Sequence, residues 1–182
     1  MAHPYKLGIM VGRFQTIHSG HELMINKAIE LCDRVGLFVG SSQESRTEKN
    51  PFTYEERLDM LKTLFGDKVE IYPLPDIGVG NNTRWGAYVL ENVRERFGTN
   101  PDLLISGKEA RRIDWFDDDE LNISELYIPK TIDISGTDMR NHFLADDVAT
   151  WQAYTSPKLW PLYDKLREIV ISSQGDSHTS SI

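Results

Sequence analysis

Short apolar runs alternate with amphipathic helical stretches along most of this chain, and this alternation limits the possible folds more than any other feature. Near-continuous apolar strands that alternate with helices are typical of a parallel sheet covered on both faces. The sequence therefore predicts an α/β fold with a doubly wound parallel sheet. The predicted strands are residues 6–11, 34–40, 69–74, 102–106 and 125–129, and the helices between them are residues 21–32, 53–65 and 85–97.

The chain has 182 residues, of which 40% are hydrophobic, and this is enough for one well-packed domain. We predict a single domain over residues 1–172, with a helical C-terminal part that begins at about residue 137. The last residues, 173–182, are small and polar and are expected to form a disordered tail.

Charge and cysteine usage exclude several classes of protein. The formal net charge of −8 argues against a nucleic-acid partner, which requires a basic surface. No apolar run approaches the roughly 20 residues of a membrane span, and the first residues lack a signal-peptide cleavage pattern. The only cysteine, Cys32, falls in the predicted helical pattern of residues 21–32, so no disulfide is expected. We therefore expect a cytoplasmic protein without a membrane partner.

Ligands of doubly wound sheets bind beyond the carboxyl ends of the strands. In this chain those ends lead into residues 12–21, 40–53 and 75–85, into the segment from Ser106 onward, and into the segment after Ile128. Nearly all of the unusual residues of the sequence fall in these segments, which favours one shared site.

The first of these segments is GRFQTIHSGHE, residues 12–22, which follows the first predicted strand directly. Gly12 permits close approach of a ligand to the main chain, and a helix N-terminus at residues 19–21 would offer free N–H groups to a phosphate. Arg13, His18 and His21 add charge or hydrogen-bond donors at the same point. A zinc site is excluded because two histidines need a third protein ligand, and Cys32 is about three helical turns away.

Two common phosphate-binding patterns are missing from the sequence. The pair Gly107-Lys108 is preceded by Asp102 where a P-loop requires glycine, and it is followed by Glu109. The dinucleotide fingerprint G-x-G-x-x-G is also absent, because Gly78-x-Gly80 continues to Thr83. Kinase-type and dehydrogenase-type functions therefore lose their main support.

A second candidate segment is ISGTDMR, residues 134–140. Ser135 or Thr137 as a plain helix N-cap is one interpretation. The other is an oxyanion clamp formed by Ser135, Thr137 and Arg140 at a helix start. The acidic run of residues 117–120 is interpreted as a solvated loop, and no protein metal site is predicted.

The pattern GRFQ-x-x-H-x-G-H near the N-terminus, together with I-S-G-T-x-x-R late in the chain, resembles the nucleotidylyltransferase superfamily. The segments GSSQESRTEKNPFTYEER and PLPDIGVGNNTRW are similar to the archaeal-type nicotinamide mononucleotide adenylyltransferases. This resemblance covers residues 6 to about 171 and implies a Rossmann-like fold. It implies adenylyl transfer from ATP to nicotinamide mononucleotide, which gives NAD and pyrophosphate.

The resemblance also implies roles for individual residues. The catalytic set would be Arg13, His18, His21, Lys49 and Arg140. The ATP-binding set would be Gly12, Arg13, Phe14, Gln15, His18, His21, Ser106, Gly107, Ser135, Thr137 and Arg140. The mononucleotide-binding set would be Ser41, Gln43, Phe52, Thr53, Arg57, Asp76, Asn82 and Trp85, with Trp85 stacked on the nicotinamide ring. Mg²⁺ would be bound through the ATP phosphates, and a homo-oligomer is an expectation from the family.

A purely structural role is an alternative interpretation for several of these residues. Thr53 could instead cap a helix together with Glu56. Arg57 could lie on the surface of that helix, and Trp85 could be a packing residue. The sequence departs from the family pattern at two places. Thr16 stands where proline is usual. The loop before Trp85 is about two residues longer than usual, and this leaves the roles of Asn81 and Asn82 open.

Two other functions stay open at the level of sequence. One is a nucleotidylyltransferase that uses CTP or a different acceptor. The other is a non-catalytic nucleotide sensor on the same fold.

Overall fold

The structure is a computed structural model and describes residues 2–80, 82–107, 115–116 and 122–175. Within these ranges five strands form one sheet in the order β3-β2-β1-β4-β5, and every neighbouring pair is parallel. The order reverses direction between β1 and β4, which is the switch point where such sheets bind ligands. The prediction of a doubly wound parallel sheet is confirmed. The strands are β1 (Tyr5–Gly12), β2 (Cys32–Gly40), β3 (Glu70–Leu74), β4 (Leu103–Ser106) and β5 (Ser124–Tyr127).

Helices follow the strands as the sequence pattern indicates. Those in the described ranges are α1 (Ser19–Leu31), α2 (Tyr54–Phe65), α3 (Thr83–Phe97), α4 (Gly136–Leu144), α5 (Val148–Ala153) and α6 (Tyr163–Ser172). Short 3₁₀ turns lie at Gly66–Lys68 and Pro157–Leu162. The C-terminal part, from α4 onward, is helical, as its sequence pattern predicts.

Local capping explains where two of these helices begin. Thr53 accepts a hydrogen bond from the main-chain N–H of Glu56, and the Glu56 carboxylate accepts one from the N–H of Thr53. This reciprocal capping box starts α2 at Tyr54, and the predicted box is confirmed. Asn82 starts α3 in a similar way, because its Oδ1 accepts from the N–H of Trp85.

The sheet is buried on both faces, and successive residues of each strand point to opposite sides. Leu37 of β2 and Ile105 of β4 pack in a larger core with α1, α2, α4, α5 and α6. Phe38 and Leu104, their immediate neighbours, pack in a second core with α3 on the other side. Burial on both faces accounts for the near-continuous apolar strands of the sequence.

The prediction that Cys32 is helical is wrong. Cys32 does not belong to the helix, because α1 ends at Leu31 and Cys32 is the first residue of β2. Its thiol lies in the core, and burial raises its pKa to about 11. Pro73 lies inside β3 opposite Val39, within the range predicted for the third strand. A proline is accommodated there because β3 is at the edge of the sheet, where the N–H that proline lacks has no second strand to pair with.

Other expectations fall partly or wholly outside the described residues. Residues 173–175 of the expected tail continue from α6, and Ser173 is buried, whereas residues 176–182 are outside the described ranges. Asn81 and the acidic run of residues 117–120 are outside them too. Among the helices that are described, none is both long and apolar enough to cross a membrane.

Candidate active site

A cleft of about 520 Å³ lies at the carboxyl ends of β1 and β4, between the start of α1 and the start of α4. Each of the eleven positions predicted to bind ATP lines it. The cleft thus brings together the N-terminal motif of residues 12–22 and the late motif of residues 134–140. The eleven residues are Gly12, Arg13, Phe14, Gln15, His18, His21, Ser106, Gly107, Ser135, Thr137 and Arg140.

The two histidines form the N-terminal cap of α1. Nδ1 of His18 accepts a hydrogen bond from the N–H of Gly20 at 3.1 Å, and Nδ1 of His21 accepts one from the N–H of His18 at 3.3 Å. The two imidazole rings stack with their centroids 3.9 Å apart. Because a neutral imidazole carries only one ring proton, an accepting Nδ1 places that proton on Nε2. Each histidine therefore has an Nε2–H donor suited to an anion, and both rings line the cleft.

The charge of the cleft is opposite to that of the whole chain. Three cationic side chains, Arg13, Lys130 and Arg140, are among its lining residues, and no aspartate or glutamate of the described residues is. Burial, together with the like charge of Arg13, lowers the pKa of Arg140. A local concentration of positive charge suits a polyphosphate even in a chain with a net charge of −8.

Arg140 connects the two motifs directly. Its Nη1 donates to the main-chain carbonyl of Gln15 at 2.5 Å, and its Nη2 donates to Oγ1 of Thr137 at 3.2 Å. Gly136 permits this approach, because a Cβ at that position would stand 3.0 Å from the same Gln15 oxygen. Arg13 is fixed from another direction, since it donates to Oδ1 of Asn50 at 3.2 Å.

Hydroxyl groups predicted to bind ATP have protein partners in this structure. Ser135 caps α4 in a reciprocal box with Asp138, so the N-cap interpretation of this residue is confirmed. Its Oγ donates to the Asp138 carboxylate at 2.6 Å, and this contact contributes most to the lowered pKa of Asp138. Ser106, at the end of β4, donates in the same way to Glu125 at 2.6 Å. Besides Arg140, the motif can offer main-chain N–H groups at the start of α4 to an anion.

The eight residues predicted to bind the mononucleotide are not among the residues that line this cleft in the described structure. Most of them connect the loop of residues 41–53 to its neighbours. Gln43 and Asp76 bind each other twice, through the Gln43 amide nitrogen to the Asp76 carboxylate and through the Asp76 N–H to the Gln43 amide oxygen. Phe52 is fully buried, and its main-chain N–H and carbonyl both bind the side chain of Gln15. The other members of the predicted mononucleotide set are Ser41, Thr53, Arg57, Asn82 and Trp85.

Arg57 is not the surface helical residue that its position in the sequence would allow. Its side chain is fully buried, and its guanidinium donates to the main-chain carbonyls of four residues. Those carbonyls belong to Arg13, Gly40, Ser41 and Thr53.

Lys49 lies at the exposed tip of the same loop and is not among the cleft-lining residues. The loop is folded back on itself below this tip, because Arg46 binds both carboxylate oxygens of Glu56 and the carbonyl of Pro51. Asn50, next to Lys49, is the partner of Arg13. Lys49 thus belongs to a loop that contacts the cleft residue Arg13 through Asn50.

Trp85 is only 8% exposed and belongs to the core on the α3 side of the sheet. Its ring meets Trp115 edge to face with centroids 6.2 Å apart, and it lies 5.3 Å from the ring of Tyr88. Packing, the alternative that the sequence left open for this residue, describes the conformation observed. Its predicted stacking on the nicotinamide ring stays a prediction.

Several cleft residues were missed by sequence reasoning. Lys130 lines the cleft from the segment after β5 and pairs with Asp133 at 3.2 Å. The rule that ligands meet the carboxyl ends of strands indicated this segment, although it did not single out the lysine. Met24 and Trp115 also line the cleft. Nothing in the local pattern distinguishes such residues from ordinary core positions.

Within the described residues no group of three or more histidine, cysteine, aspartate or glutamate side chains is placed to bind a metal ion. The acidic run of residues 117–120, interpreted from sequence as a solvated loop, lies outside the described residues. The donors in the cleft are cationic or neutral, and such a set fits the phosphates of a nucleotide.

The parallel sheet has its switch point at β1 and β4, and the cleft there is lined by two helix N-termini and two arginines. These features are typical of a nucleotide-binding α/β protein of the nucleotidylyltransferase type. The family model described as cytidylyltransferase-like matches residues 9–142, most of the chain. The chain belongs to this family and, as the curated relatives show, to its archaeal-type nicotinamide mononucleotide adenylyltransferases.

One of these relatives is the nicotinamide-nucleotide adenylyltransferase of Saccharolobus solfataricus, 41% identical over 112 residues, or 57% of this chain and 64% of that protein. The protein of the same name from Haloarcula marismortui is 32% identical over 65% of this chain and 68% of its own length. For the enzyme of Thermococcus kodakarensis the identity is 39%, over 48% of this chain and 49% of that protein. The chain thus spans between about half and two thirds of the length of these relatives.

Solved structures agree on the fold. The bifunctional NMN adenylyltransferase/ADP ribose pyrophosphatase of Francisella tularensis, complexed with AMP and a manganese ion, has a TM-score of 0.74 at 22% identity. That match covers 92% of this chain and 52% of the other. The NadR protein in complex with NAD and AMP-PNP has a TM-score of 0.60 at 19% identity, over 87% of this chain and 46% of the other. Identities this low show a shared fold and nothing finer.

Proposed function

We propose that this protein transfers the adenylyl group of ATP to nicotinamide mononucleotide and forms NAD and pyrophosphate. The observation that carries the proposal is the cationic cleft in which the motifs of residues 12–22 and 134–140 meet through Arg140 and Gln15. The names of the relatives support the choice of reaction, since those from Saccharolobus, Haloarcula and Thermococcus are nicotinamide-nucleotide adenylyltransferases.

In the proposed reaction a phosphate oxygen of the mononucleotide attacks the α-phosphorus of ATP. The new P–O bond forms as the bond to the β-phosphate breaks, and pyrophosphate leaves with the electron pair. The attacking phosphate is already ionised at neutral pH, so the protein needs to supply neither a base nor a covalent intermediate. Catalysis then consists of positioning and of neutralising the charge that develops on the leaving group.

The residues of the cleft fit these two tasks. Arg13 and Arg140 would bind the outer phosphates, where a guanidinium can bind two oxygens at once. His21, with its proton on Nε2, would donate to the transferring phosphate, and His18 would donate beside it. The N-termini of α1 and α4 would add main-chain donors, and Lys49 would approach from the loop of residues 41–53.

Mg²⁺ is proposed to arrive with ATP rather than to occupy a site of the protein. The described residues that line the cleft include no carboxylate, and Mg²⁺ prefers oxygen ligands. Phosphate oxygens and water would therefore bind the ion, which would neutralise phosphate charge. The protein's part in this arrangement is to fix the phosphates with Arg13 and Arg140.

The acceptor is proposed to bind beside the loop that carries Ser41, Gln43, Phe52 and Thr53, toward Asp76, Asn82 and Trp85. Asp76 and Gln43 offer polar groups on the protein surface. Because Trp85 is buried in the observed conformation, its stacking on a cationic nicotinamide ring would require local rearrangement. Arg57 would support this region from inside rather than touch the mononucleotide. The proposed location is the cytoplasm, and a homo-oligomer stays an expectation.

The test is a substrate panel with the purified protein, ATP and Mg²⁺, in which pyrophosphate release and NAD formation are followed together. Nicotinamide mononucleotide, nicotinate mononucleotide and phosphopantetheine serve as acceptors, and CTP replaces ATP in a parallel series. We expect product with ATP and nicotinamide mononucleotide. Product with another acceptor or with CTP alone would contradict the proposal, and tight ATP binding without any product would indicate a nucleotide sensor.

A pair of histidine variants links the activity to this cleft. His21→Ala should lower kcat by about 100-fold with a smaller effect on ATP affinity, because its donor acts on charge that develops in the transition state. His142→Ala, in α4 but outside the cleft lining, serves as the matched control and should change kcat by less than about twofold. Equal losses of kcat and ATP affinity for His21→Ala would show that the residue acts in ground-state binding.

A further inference from the structure

Arg57 is a buried cation at the edge of the cleft that has main-chain carbonyls as its partners. It lies in the first turns of α2, and none of its side chain is exposed. Nη1 donates to the carbonyl of Arg13 at 2.9 Å and to that of Gly40 at 2.9 Å. Nη2 donates to the carbonyl of Ser41 at 3.2 Å, and Nε to that of Thr53 at 3.1 Å. These hydrogen bonds tie the ends of β1 and β2 to the start of α2.

The position of these carbonyls matters for an anion site. The carboxyl ends of parallel strands present carbonyl oxygens, which carry partial negative charge and repel phosphate. Arg13 follows β1 directly, and Gly40 and Ser41 stand at the end of β2. A guanidinium is the side chain that can bind several such oxygens at once, since it has five N–H donors in a fixed plane.

Among the described residues, no carboxylate forms an ion pair with Arg57. All four side-chain hydrogen bonds that it makes with described residues end on carbonyl oxygens. Burial, followed by the like charge of Arg13, lowers its pKa to about 10, which still leaves the group protonated at neutral pH. A cation is thus buried directly behind the main chain of Arg13, a residue of the cleft lining.

We propose that Arg57 is a positioning residue of the polyphosphate site, which fixes the main chain at Arg13 and withdraws the carbonyls of Arg13, Gly40 and Ser41 from the approaching anion. It acts through these main-chain groups and makes no contact with the substrate. The proposal rests on the proposed function only in that a polyphosphate must occupy the cleft; it does not depend on which acceptor is used.

The experiment measures binding of inorganic triphosphate by calorimetry to the full chain and to the variants Arg57→Met and Arg57→Lys. Arg57→Met fills a similar volume without charge and should weaken triphosphate binding at least about tenfold. Arg57→Lys restores the charge but cannot bind four carbonyls, so it should recover only part of the affinity. In turnover assays the KM for ATP should rise by a similar factor.

Arg167→Met is the matched control. Arg167 in α6 also donates to a main-chain carbonyl, that of Phe143, but it is not among the residues that line the cleft. This variant should reproduce any general loss of thermal stability and leave triphosphate binding within about twofold of the wild type.

Each outcome is decisive. Wild-type affinity in a folded Arg57→Met or Arg57→Lys protein would overturn the proposal, and so would loss of the fold in both, which would assign the residue to stability alone. Failure of the proposed function looks different. In that case no NAD forms with the wild type, while triphosphate binding still depends on Arg57.

Discussion

Arg140 of α4 and Gln15 beyond β1 are 125 residues apart in sequence, and a hydrogen bond from the guanidinium of the first to the main-chain carbonyl of the second joins them. The same guanidinium donates to Thr137 on its own helix. This side chain thus bridges the two segments that line the cleft. Its planar fork allows both contacts at once, and a lysine ammonium on a flexible stem does not.

Arg140→Lys should therefore lower activity although the charge is conserved. We expect the KM for ATP to rise about tenfold, because the two sides of the cleft lose their fixed separation and the phosphates lose a bidentate partner. Steady-state kinetics with ATP varied at saturating mononucleotide measures this. Arg34→Lys is the control, since Arg34 forms a comparable fork on Glu70 at the opposite end of β2. Equal effects of the two substitutions would contradict a specific role for Arg140.

Gly20→Ala tests whether the capping geometry of the histidines matters. A Cβ at Gly20 would stand 2.9 Å from Cε1 of His18 and 3.0 Å from its Nδ1, so the ring must move. Alanine favours a helix over glycine by about 1 kcal/mol, which means that stability should not fall much. We expect kcat to drop by about tenfold at nearly unchanged melting temperature. Ser19→Ala, one residue earlier and outside the cleft lining, should leave kcat nearly unchanged, and a matching loss there would refute the interpretation.

The elements of the fold could be predicted because each depends on local pattern. Thr53 and Glu56 stand at capping-box spacing, and alternating strands and helices require a parallel sheet. Strand order then determines which loops meet, and this is why the residues predicted to bind ATP line one cleft.

Side-chain environment could not be predicted in the same way. Arg57 and Trp85 each occupy a helical position next to a predicted binding loop, and nothing in the periodicity shows that one binds carbonyls and the other packs on Trp115. The edge position of the strand that contains Pro73 depends on strand order, which is a property of the whole fold.

The burial of Trp85 leads to a prediction about stability. Trp85→Ala should lower the free energy of unfolding by about 3 kcal/mol, because a large buried ring that packs against Trp115 and Tyr88 is removed. Trp160→Ala provides the same substitution at a ring that is 38% exposed, and should cost about 1 kcal/mol or less. Chemical denaturation measures both. The KM for the mononucleotide, measured where both variants are folded, separates packing from stacking, and an unchanged value for Trp85→Ala would remove the stacking role.

Asp138 makes the start of α4 sensitive to acid. Its carboxylate accepts hydrogen bonds from the hydroxyl and the N–H of Ser135, and these lower its pKa in the folded protein. Because the folded pKa lies below that of the unfolded chain, about 3.9, the stabilisation is complete above that pH and is lost as the pH falls through the folded pKa. The carboxylate is only partly buried, so screening keeps the contribution small, about 0.5 kcal/mol. Asp138→Asn should therefore be less stable than the wild type at pH 6 and equal to it near pH 2, as measured by urea denaturation.

Asp133→Asn is the control for this pH dependence. Asp133 is a fully exposed neighbour that pairs with Lys130 on the surface, so its removal should shift the unfolding free energy little at either pH. A difference between wild type and Asp138→Asn that persists unchanged at low pH would mean that the asparagine disturbs the packing of α4 rather than removing a charge. In that case the cap would act through the Ser135 hydroxyl alone. Ser135→Ala should then lower the free energy of unfolding as much as Ser135→Ala and Asp138→Asn combined.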